Sequence, residues 1–319
     1  MPYSGRATDE HHAYLYQRVE VLGGDAVAAP PPLADGQHGV AIIGYAVDEG
    51  VRLNQGRTGA ADGPAALRAR LGREVDRTAG RLRVVDLGDV VHGSGPLLGT
   101  LSALAERVAA ARAAGYRTLV LGGGHDLAAG HYLGLHRHDA PDAAHTLGVV
   151  NVDAHLDLRP LGAAGPNSGT PFTLVHQLGA ERGQAFRYAC VGVQATANTP
   201  GLMQRAEALG VKLVPLEDLG EQAGDVLSGF GESCDALYVT VDLDAFPAAV
   251  SPGVSAPGVD GVSYREARAL VRQLVATGKV VGFDVAECNP TYDLDGRTAR
   301  LGARLVSDFL EAVANCPPA

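Results

Sequence analysis

Eight strand-like apolar runs, separated by segments with helical spacing, constrain the fold of this 319-residue chain more than any other feature. Several of the runs are continuously apolar, which is typical of strands that are covered on both faces. The runs are VAIIGYAV, LRVVDLG, TLVLGG, TLGVVNVD, YACVGV, VKLVPL, ALYVTVDLD and KVVGFDVAE. The helical candidates between them include GPAALRARLGREV, LLGTLSALAERVAAARAAG, SYREARALVRQLVATG and RTARLGARLVSDFLEAVAN.

Strands that alternate with helices predict right-handed β-α-β units and a mostly parallel sheet. We therefore expect an α/β fold, a single three-layer α/β/α domain around a parallel sheet of about eight strands. A closed eight-stranded barrel is the alternative, because the number of elements alone does not exclude it. No change in composition marks a second domain. We assign residues 36–319 to one catalytic domain and residues 1–35 to an N-terminal extension with no assigned role.

Charge and cysteine content limit the partners and the compartment. The formal net charge is -10, and no run of Lys or Arg forms the basic face that nucleic-acid binding requires. No stretch approaches the ~18 consecutive apolar residues of a transmembrane helix, and the N-terminus lacks the layout of a signal peptide. The four cysteines are scattered without a C-x-x-C pair, which indicates reduced thiols. We expect a cytoplasmic protein with no membrane or nucleic-acid partner.

Polar side chains follow four of the apolar runs at the point where each run ends. The four segments are GGGHD, DAHLD within VVNVDAHLDLRP, DLDAF and DVAE. In open parallel sheets, ligands bind outside the carboxyl ends of the strands, and these ends share one edge. The two-residue spacing of Asp153, His155 and Asp157 on an extended segment also allows their side chains to converge. The sequence therefore predicts one shared site.

The residue types at this site favour two divalent cations. The candidate ligands are His125, Asp153, His155, Asp157, Asp242 and Asp244. Four carboxylates brought together without counter-charge repel one another, whereas two divalent cations balance their four negative charges. A single zinc ion would leave two or three aspartates unneutralised. An oxygen-rich set with two imidazoles and no sulfur favours Mn²⁺, although affinity alone ranks zinc higher. We predict two Mn²⁺ ions.

Each segment also has a simpler interpretation. Asp242 and Asp244 can be loop carboxylates or helix caps. GGGHD can form a phosphate-binding turn, but it does not continue as G-x-G-x-x-G, and no Lys-Ser/Thr pair follows. YDLDG resembles the start of a calcium loop but lacks the remaining acidic positions. The three ligand segments together, each at a strand end, favour the metal site over these alternatives.

From about Gly39 to Asp308 the chain resembles the ureohydrolases, the superfamily of arginases, agmatinases and formimidoylglutamases. The resemblance lies in NQGRTGAADGPAALR, LGGGHDLAAG, NVDAHLDLR, TVDLDAFPAAVSPGVSAPG and DVAECNP. It implies an arginase-like α/β domain with two Mn²⁺ ions at the strand ends. One ion is implied on His125, Asp153, Asp157 and Asp242, and the other on His155, Asp153, Asp242 and Asp244. Asp153 and Asp242 would then bridge the two ions.

Within that superfamily, SGTPF, YACVGVQATANT and ECNPTYDLDGRTARLGARLV resemble the formimidoylglutamase branch. Arginases and agmatinases carry a proton-transferring His shortly after a Ser-Gly segment, where this chain has Thr170 and Pro171. The resemblance implies hydrolysis of N-formimidoyl-L-glutamate to L-glutamate and formamide, in histidine catabolism, by a metal-bridging hydroxide. Glu287 would bind the amidine of the substrate, and Asp157 is our candidate for proton transfer.

The substrate carries two carboxylates, so cationic and amide donors are expected at the entrance. The candidates are Asn54, Arg57, Arg159, Asn167, Ser168 and Gln194, together with Glu287 for the amidine. Three alternatives stay open: a guanidino-compound hydrolase that releases urea, a single-zinc amide deacetylase, and a binding protein with a vestigial site. The resemblance also implies a homo-oligomer, a trimer or a hexamer.

Overall fold

A computed structural model describes residues 2–5, 13–22, 29–142, 144–181 and 183–316. In this part of the chain nine parallel strands form one sheet in the order β1-β3-β2-β4-β9-β8-β5-β6-β7. The strands are β1 Val19–Val21, β2 His38–Ala46, β3 Leu82–Val91, β4 Arg117–Gly122, β5 Leu147–Val152, β6 Tyr188–Val193, β7 Lys212–Pro215, β8 Ala236–Asp242 and β9 Val280–Ala286.

Nine α-helices lie among the described residues. They are α1 Glu49–Leu53, α2 Gly63–Leu71, α3 Leu97–Ala113, α4 Leu127–Asp139, α5 Pro171–Glu181, α6 Pro200–Ala208, α7 Glu221–Glu232, α8 Tyr264–Ala276 and α9 Arg297–Ala314. Helix α8 begins with a capping box in which the Ser263 hydroxyl accepts the amide of Glu266 and the Glu266 carboxylate accepts the amide of Ser263. No described helix combines the length and the apolar character needed to cross a bilayer.

Alternate residues of the central strands enter two hydrophobic layers, one on each face of the sheet. Val239 and Val241 of β8 join the layer that contains Leu67 of α2, Leu270 of α8 and Phe309 of α9. Tyr238 and the opposite faces of the neighbouring strands enter the layer formed with α3, α4 and α5. This explains why β5 is buried at every position, as its apolar sequence predicts. The three-layer α/β prediction is confirmed.

The sheet is open, with β1 and β7 at its edges, so the alternative of a closed barrel is wrong for the described residues. The eight predicted runs correspond to β2–β9, and the ninth strand, β1, was missed. It is only three residues long and contains Glu20 between two valines, which gives little apolar signal. It pairs in parallel with β3, from Val19 opposite Val84 to Val21 opposite Asp86.

Part of the predicted N-terminal extension packs against the domain. Leu15 is buried, and the Tyr3 hydroxyl donates a hydrogen bond to Asp86 at 2.5 Å. Asp86 of β3 also accepts a hydrogen bond from the guanidinium of the buried Arg68 of α2 at 2.7 Å, so this segment covers a buried ion pair between the sheet and a helix. The domain boundary at residue 35 stays a prediction.

Candidate metal centre

The order of strands in the sheet brings the predicted ligands together. Strands β4, β9, β8 and β5 are consecutive neighbours, and they are the four strands that end in polar segments. Because all the strands are parallel, these segments emerge at the same edge. Asp242 is the last residue of β8, while the other site residues lie in the turns that follow β4, β5, β8 and β9. All six predicted ligands therefore lie close together, and all of them except the fully buried Asp153 line one cleft with Glu287.

The first set of ligand atoms, which we call the His125 group, consists of His125, Asp153, Asp157 and Asp242. The His125 Nδ1 atom lies 2.9 Å from Asp157 Oδ2, 3.1 Å from Asp242 Oδ2 and 3.3 Å from Asp153 Oδ2. The His125 side chain is 1% exposed. Four N and O donors thus surround a buried space at the base of the cleft.

The second set, which we call the His155 group, consists of Asp153, His155 and Asp244. His155 Nδ1 lies 3.3 Å from both Asp153 Oδ1 and Asp244 Oδ2. Asp153 presents Oδ2 to the first group and Oδ1 to the second, which is the position expected of a bridging carboxylate. The structure brings Asp242 into the His125 group, and its predicted bridging role stays a prediction.

Crowding changes the acidity of the site carboxyls. Burial, followed by the negative charge of Asp153, raises the pKa of Asp157 to about 6. Burial, followed by the charge of Asp242, raises the pKa of Glu287 to about 8. These shifts arise because each added negative charge is unfavourable among the others in a buried cleft. The cleft therefore has a strong preference for positive charge.

The two imidazoles respond in the opposite direction. The charge of Asp244 is the largest cause that raises the pKa of His155 to about 12. Burial alone would lower the pKa of His125, but the negative charge of Asp242 and the nearby carboxylates of Asp153 and Asp157 raise it well above its ordinary value. Positive charge on these rings balances the carboxylates, which is the charge that divalent cations would supply.

Unpaired buried atoms support the same fit. His125 Nδ1, Asp244 Oδ1 and Glu287 Oε2 are buried and have no hydrogen-bond partner among the described residues. An unpaired polar atom in a protein interior costs about 1–3 kcal/mol, so such atoms need an explanation. For the first two, a bound cation supplies the missing partner. The donor set, imidazole and carboxylate without sulfur, fits Mn²⁺.

Glu287 is aimed at the cleft by a left-handed backbone conformation, with φ of 63°. Its Oε1 atom accepts the backbone N–H of His125 at 2.9 Å, whereas Oε2 faces the cleft without a partner among the described residues. Asp157 also has a positive φ, 47°. Non-glycine residues adopt this region at a cost that the surrounding structure must offset, and they are common at functional sites.

The cleft contains a small cavity of about 70 Å³. Three of the six predicted entrance residues line it: Asn54, Arg159 and Ser168. They form a hydrogen-bonded row, in which Arg159 Nη1 donates to Asn54 Oδ1 at 2.8 Å and Asn54 Nδ2 donates to Ser168 Oγ at 3.0 Å. Arg159 is exposed, so part of its guanidinium faces solvent at the entrance.

The structure does not bring the other three predicted entrance residues to the cavity lining. The Arg57 guanidinium donates to the carbonyls of Pro252 and Val254 at 3.2 Å, so it holds the loop between β8 and α8. The Asn167 side chain accepts the Gly169 amide at 2.9 Å within its own turn. Gln194 Nε2 donates to the Asp260 carbonyl at 3.1 Å. Each of the three side chains already makes at least one hydrogen bond to the backbone.

Two lining residues were not predicted, Ser255 and Ala256. Ser255 lines the cavity together with Glu287. Both lie in the sequence SAPG, where small residues next to Pro and Gly carry no local signal of a site. Their position depends on the loop that Arg57 anchors, which only the folded chain reveals.

Curated relatives of the chain are formimidoylglutamases. The one from Chromobacterium violaceum is 45% identical over 287 residues, which cover 88% of this chain and 89% of the relative. The one from Geobacillus thermodenitrificans is 37% identical over 307 residues, which cover 95% and 92%.

Solved structures that are similar to this chain include the same kind of enzyme. The formiminoglutamase of Trypanosoma cruzi, crystallised with Mn²⁺, is 29% identical with a TM-score of 0.78 and matches 87% of this chain and 94% of its own. The formimidoylglutamase of Bacillus subtilis, at 19% identity, shares the fold with a TM-score of 0.83 over 98% of this chain and 95% of its own. The family model described as "Arginase family" matches residues 38–311, and this chain is a member of the arginase family.

Proposed function

We propose that this protein is a manganese-dependent hydrolase that converts N-formimidoyl-L-glutamate and water to L-glutamate and formamide. The observation that carries the proposal is the position of Glu287. One of its carboxylate oxygens is fixed by the His125 amide, and the other is buried and unpaired beside the two ligand groups. An amidinium is a planar cation whose N–H groups match such an oxygen. Formimidoylglutamase relatives across nearly the whole chain support the substrate.

The His125 group and the His155 group are the residues that would hold two Mn²⁺ ions. Such ions lower the pKa of bound water toward neutrality and polarise the group under attack. Glu287 would hold the amidinium of the substrate so that its carbon faces the two ligand groups. Asp157, which lines the cavity and belongs to the His125 group, is the candidate to move a proton to the departing amine.

At the entrance, Arg159 is proposed to bind a carboxylate of the glutamate moiety. A guanidinium pairs with a carboxylate through two parallel hydrogen bonds, and Asn54 holds that guanidinium from one side. Ser168 extends the same row as a hydroxyl donor. With Glu287 on the amidinium, these residues would bind the oppositely charged groups of the substrate within one cleft.

The position after Ser168-Gly169 distinguishes this reaction from urea release. The Thr170 hydroxyl is buried and donates to the Asn167 carbonyl at 3.0 Å, so it is engaged within its own turn. His176 lies farther along in α5 and packs against Phe186. The imidazoles that line the cavity are those of His125 and His155. This arrangement disfavours the alternative, a guanidino-compound hydrolase with a free proton-transferring histidine.

The proposal is tested by product analysis. Metal-stripped protein and Mn²⁺-reconstituted protein are incubated with N-formimidoylglutamate, arginine, agmatine and guanidinobutyrate, and formamide and urea are assayed separately. Mn²⁺-dependent formamide release from the first substrate alone is expected. Release of urea from a guanidino compound would contradict the substrate, and no product with either form would contradict the enzyme assignment.

The proposal includes a homo-oligomer, a trimer or a hexamer, which rests on the family resemblance. It also includes a cytoplasmic location, which the scattered cysteines support. Light scattering during gel filtration measures the mass of the assembly directly. A monomeric mass of 32.8 kDa under conditions of full activity would contradict the oligomer.

A further inference from the structure

The side chain of Asn198, in the connection between β6 and α6, contacts the segment that carries three of the predicted ligands. It is 7% exposed and makes three hydrogen bonds to backbone groups. Its Nδ2 atom donates to the carbonyls of Ala154 and Gln194, each at 2.9 Å. Its Oδ1 atom accepts the amide of Leu156 at 3.0 Å. Asn198 therefore binds the backbone on both sides of His155.

These contacts hold the two peptide groups that meet at the Cα atom of His155. One contains the Ala154 carbonyl, and the other contains the Leu156 amide. The remaining polar groups of the same two peptides also have partners. The His155 amide donates to Asp153 Oδ1 at 2.7 Å, and Cys190 Sγ lies 3.2 Å from the His155 carbonyl. Because each peptide group is planar, holding both of them sets φ and ψ of His155 and the direction in which its side chain leaves the backbone.

The segment needs such a partner because it leaves the sheet while still buried. Strand β5 ends at Val152, and Ala154 and Leu156 beyond it are buried. Buried backbone polar groups are nearly always paired, and a segment outside the strand ladder must find its partners elsewhere. The side chain of Asn198 supplies the acceptor for the Leu156 amide.

Asp157, in the same segment, is held by other contacts. The Tyr188 hydroxyl donates to the Leu156 carbonyl at 2.9 Å, in the peptide group that precedes Asp157. The Phe172 amide donates to the Asp157 carbonyl at 3.3 Å. The contacts of Asn198 therefore act chiefly on His155, and through it on the His155 group.

We infer that Asn198 is a positioning residue that holds the backbone of His155 so that its imidazole binds a divalent cation in the His155 group. Groups that orient a metal ligand typically change metal affinity by about 10- to 100-fold. The inference rests on the proposed metal-dependent function, because it needs a cation at His155. It does not depend on which substrate is hydrolysed.

The chain provides a matched control in the buried Asn289. Its Nδ2 atom donates to the carbonyls of Arg57 and Thr58 at 2.9 and 3.1 Å, and its Oδ1 atom accepts the Thr291 amide at 3.1 Å. Asn198→Ala and Asn289→Ala therefore remove the same kinds of hydrogen bond from two buried sites. None of the backbone groups that Asn289 binds belongs to a segment with a predicted metal ligand.

The test measures Mn²⁺ binding to the full chain by titration calorimetry, and unfolding by urea in EDTA. Wild type is expected to bind two ions. Asn198→Ala should weaken one of the two ions by about 10- to 100-fold, while Asn289→Ala leaves both within about twofold. Both variants should unfold at a lower urea concentration than wild type, because each leaves buried backbone groups without a partner.

Two further backgrounds identify which ion is affected. In His125→Ala the remaining ion is expected in the His155 group, and adding Asn198→Ala should weaken it by about 10- to 100-fold. In His155→Ala the remaining ion is expected in the His125 group, and adding Asn198→Ala should leave its affinity within about twofold. The reverse pattern would overturn the assignment of Asn198 to His155.

Unchanged Mn²⁺ affinity in Asn198→Ala, or an equal loss in Asn289→Ala, would overturn the positioning role and leave the proposed function intact. If Asn198→Ala does not fold, Asn198→Ser is measured instead, because its shorter side chain cannot span both peptide groups. Unchanged affinity in that variant would overturn the role equally. A wild-type protein that binds no Mn²⁺ would overturn both the inference and the proposed metal-dependent function.

Discussion

The two ligand groups of the cleft differ in how much of their surroundings the protein supplies. His125 is 1% exposed, and both ring nitrogens face protein atoms, three aspartates on one side and Thr240 on the other. The His155 side chain is 25% exposed, and its group contains only two carboxylates. The first group is therefore held rigidly by the core, and the second opens toward solvent.

This difference indicates that the two ligand groups have different roles within one site. Burial strengthens the electrostatic attraction of the His125 group for a cation. Glu287 accepts the backbone N–H of His125, so the residue that we propose to bind the amidine is attached directly to this group. The open group adjoins the space through which substrate and water enter. Variants that affect the buried group should change both stability and metal affinity, whereas variants at the open side should change function with little cost in folding.

Asp153 contributes an oxygen atom to each of the two ligand groups, so its substitution should have the largest effect on kcat/KM and on Mn²⁺ binding. Asp153→Asn keeps the shape of the side chain but removes the negative charge that both groups share. Because metal ions contribute several kcal/mol of transition-state stabilisation, the loss should lower kcat/KM by roughly 10³-fold or more. Calorimetry should show fewer than two Mn²⁺ bound. Two ions bound with wild-type affinity would argue against a shared ligand.

The contrast between the groups is tested directly by His125→Ala and His155→Ala. Each should lose one Mn²⁺ and reduce kcat/KM by on the order of 10²- to 10³-fold. In EDTA, His125→Ala should lower the free energy of unfolding by about 1–3 kcal/mol more than His155→Ala, because it leaves buried polar partners unsatisfied. Equal destabilisation in urea unfolding would remove the distinction between a buried and an open group.

Glu287→Gln separates substrate binding from metal binding on the buried side. The amide retains the hydrogen bond from His125 but loses the charge that pairs with an amidinium. Since a charged hydrogen bond contributes about 1.5–3 kcal/mol, kcat/KM should fall by roughly 10- to 100-fold with two Mn²⁺ still bound. Metal analysis of the purified variant is the control. A loss of Mn²⁺ in parallel with activity would place Glu287 among the ligands instead.

The smallest effect is expected at the entrance. Arg159→Ala should raise KM for formimidoylglutamate by about 10-fold, with little change in kcat or in unfolding, because the side chain is exposed. Arg159→Lys keeps the charge but loses the planar fork, so it should recover only part of the affinity. A fall in kcat at unchanged KM would mean that Arg159 acts on the reaction and not on substrate binding.

Much of the fold could be predicted from local patterns. All eight predicted apolar runs are strands, and the four helical candidates correspond to α2, α3, α8 and α9. Helices α4 and α5 were not among those candidates. Helix α4 is buried at ten consecutive positions from Leu127 to His136, including histidines, so its sequence does not alternate between an apolar and a polar face.

The sequence by itself determined that the ligand residues lie at the same end of the sheet, because parallel strands place their carboxyl ends together. That they meet in one cleft depends on the strand order, which makes β4, β9, β8 and β5 neighbours. Ligand types and the need for counter-charge were likewise readable from composition and spacing. Only the tertiary structure decided how each side chain is used. Arg57 lies in the segment expected at the entrance, but its guanidinium is occupied by backbone carbonyls. Ser255 lines the cleft beside Glu287, which is distant from it in sequence, and such a contact has no local signature.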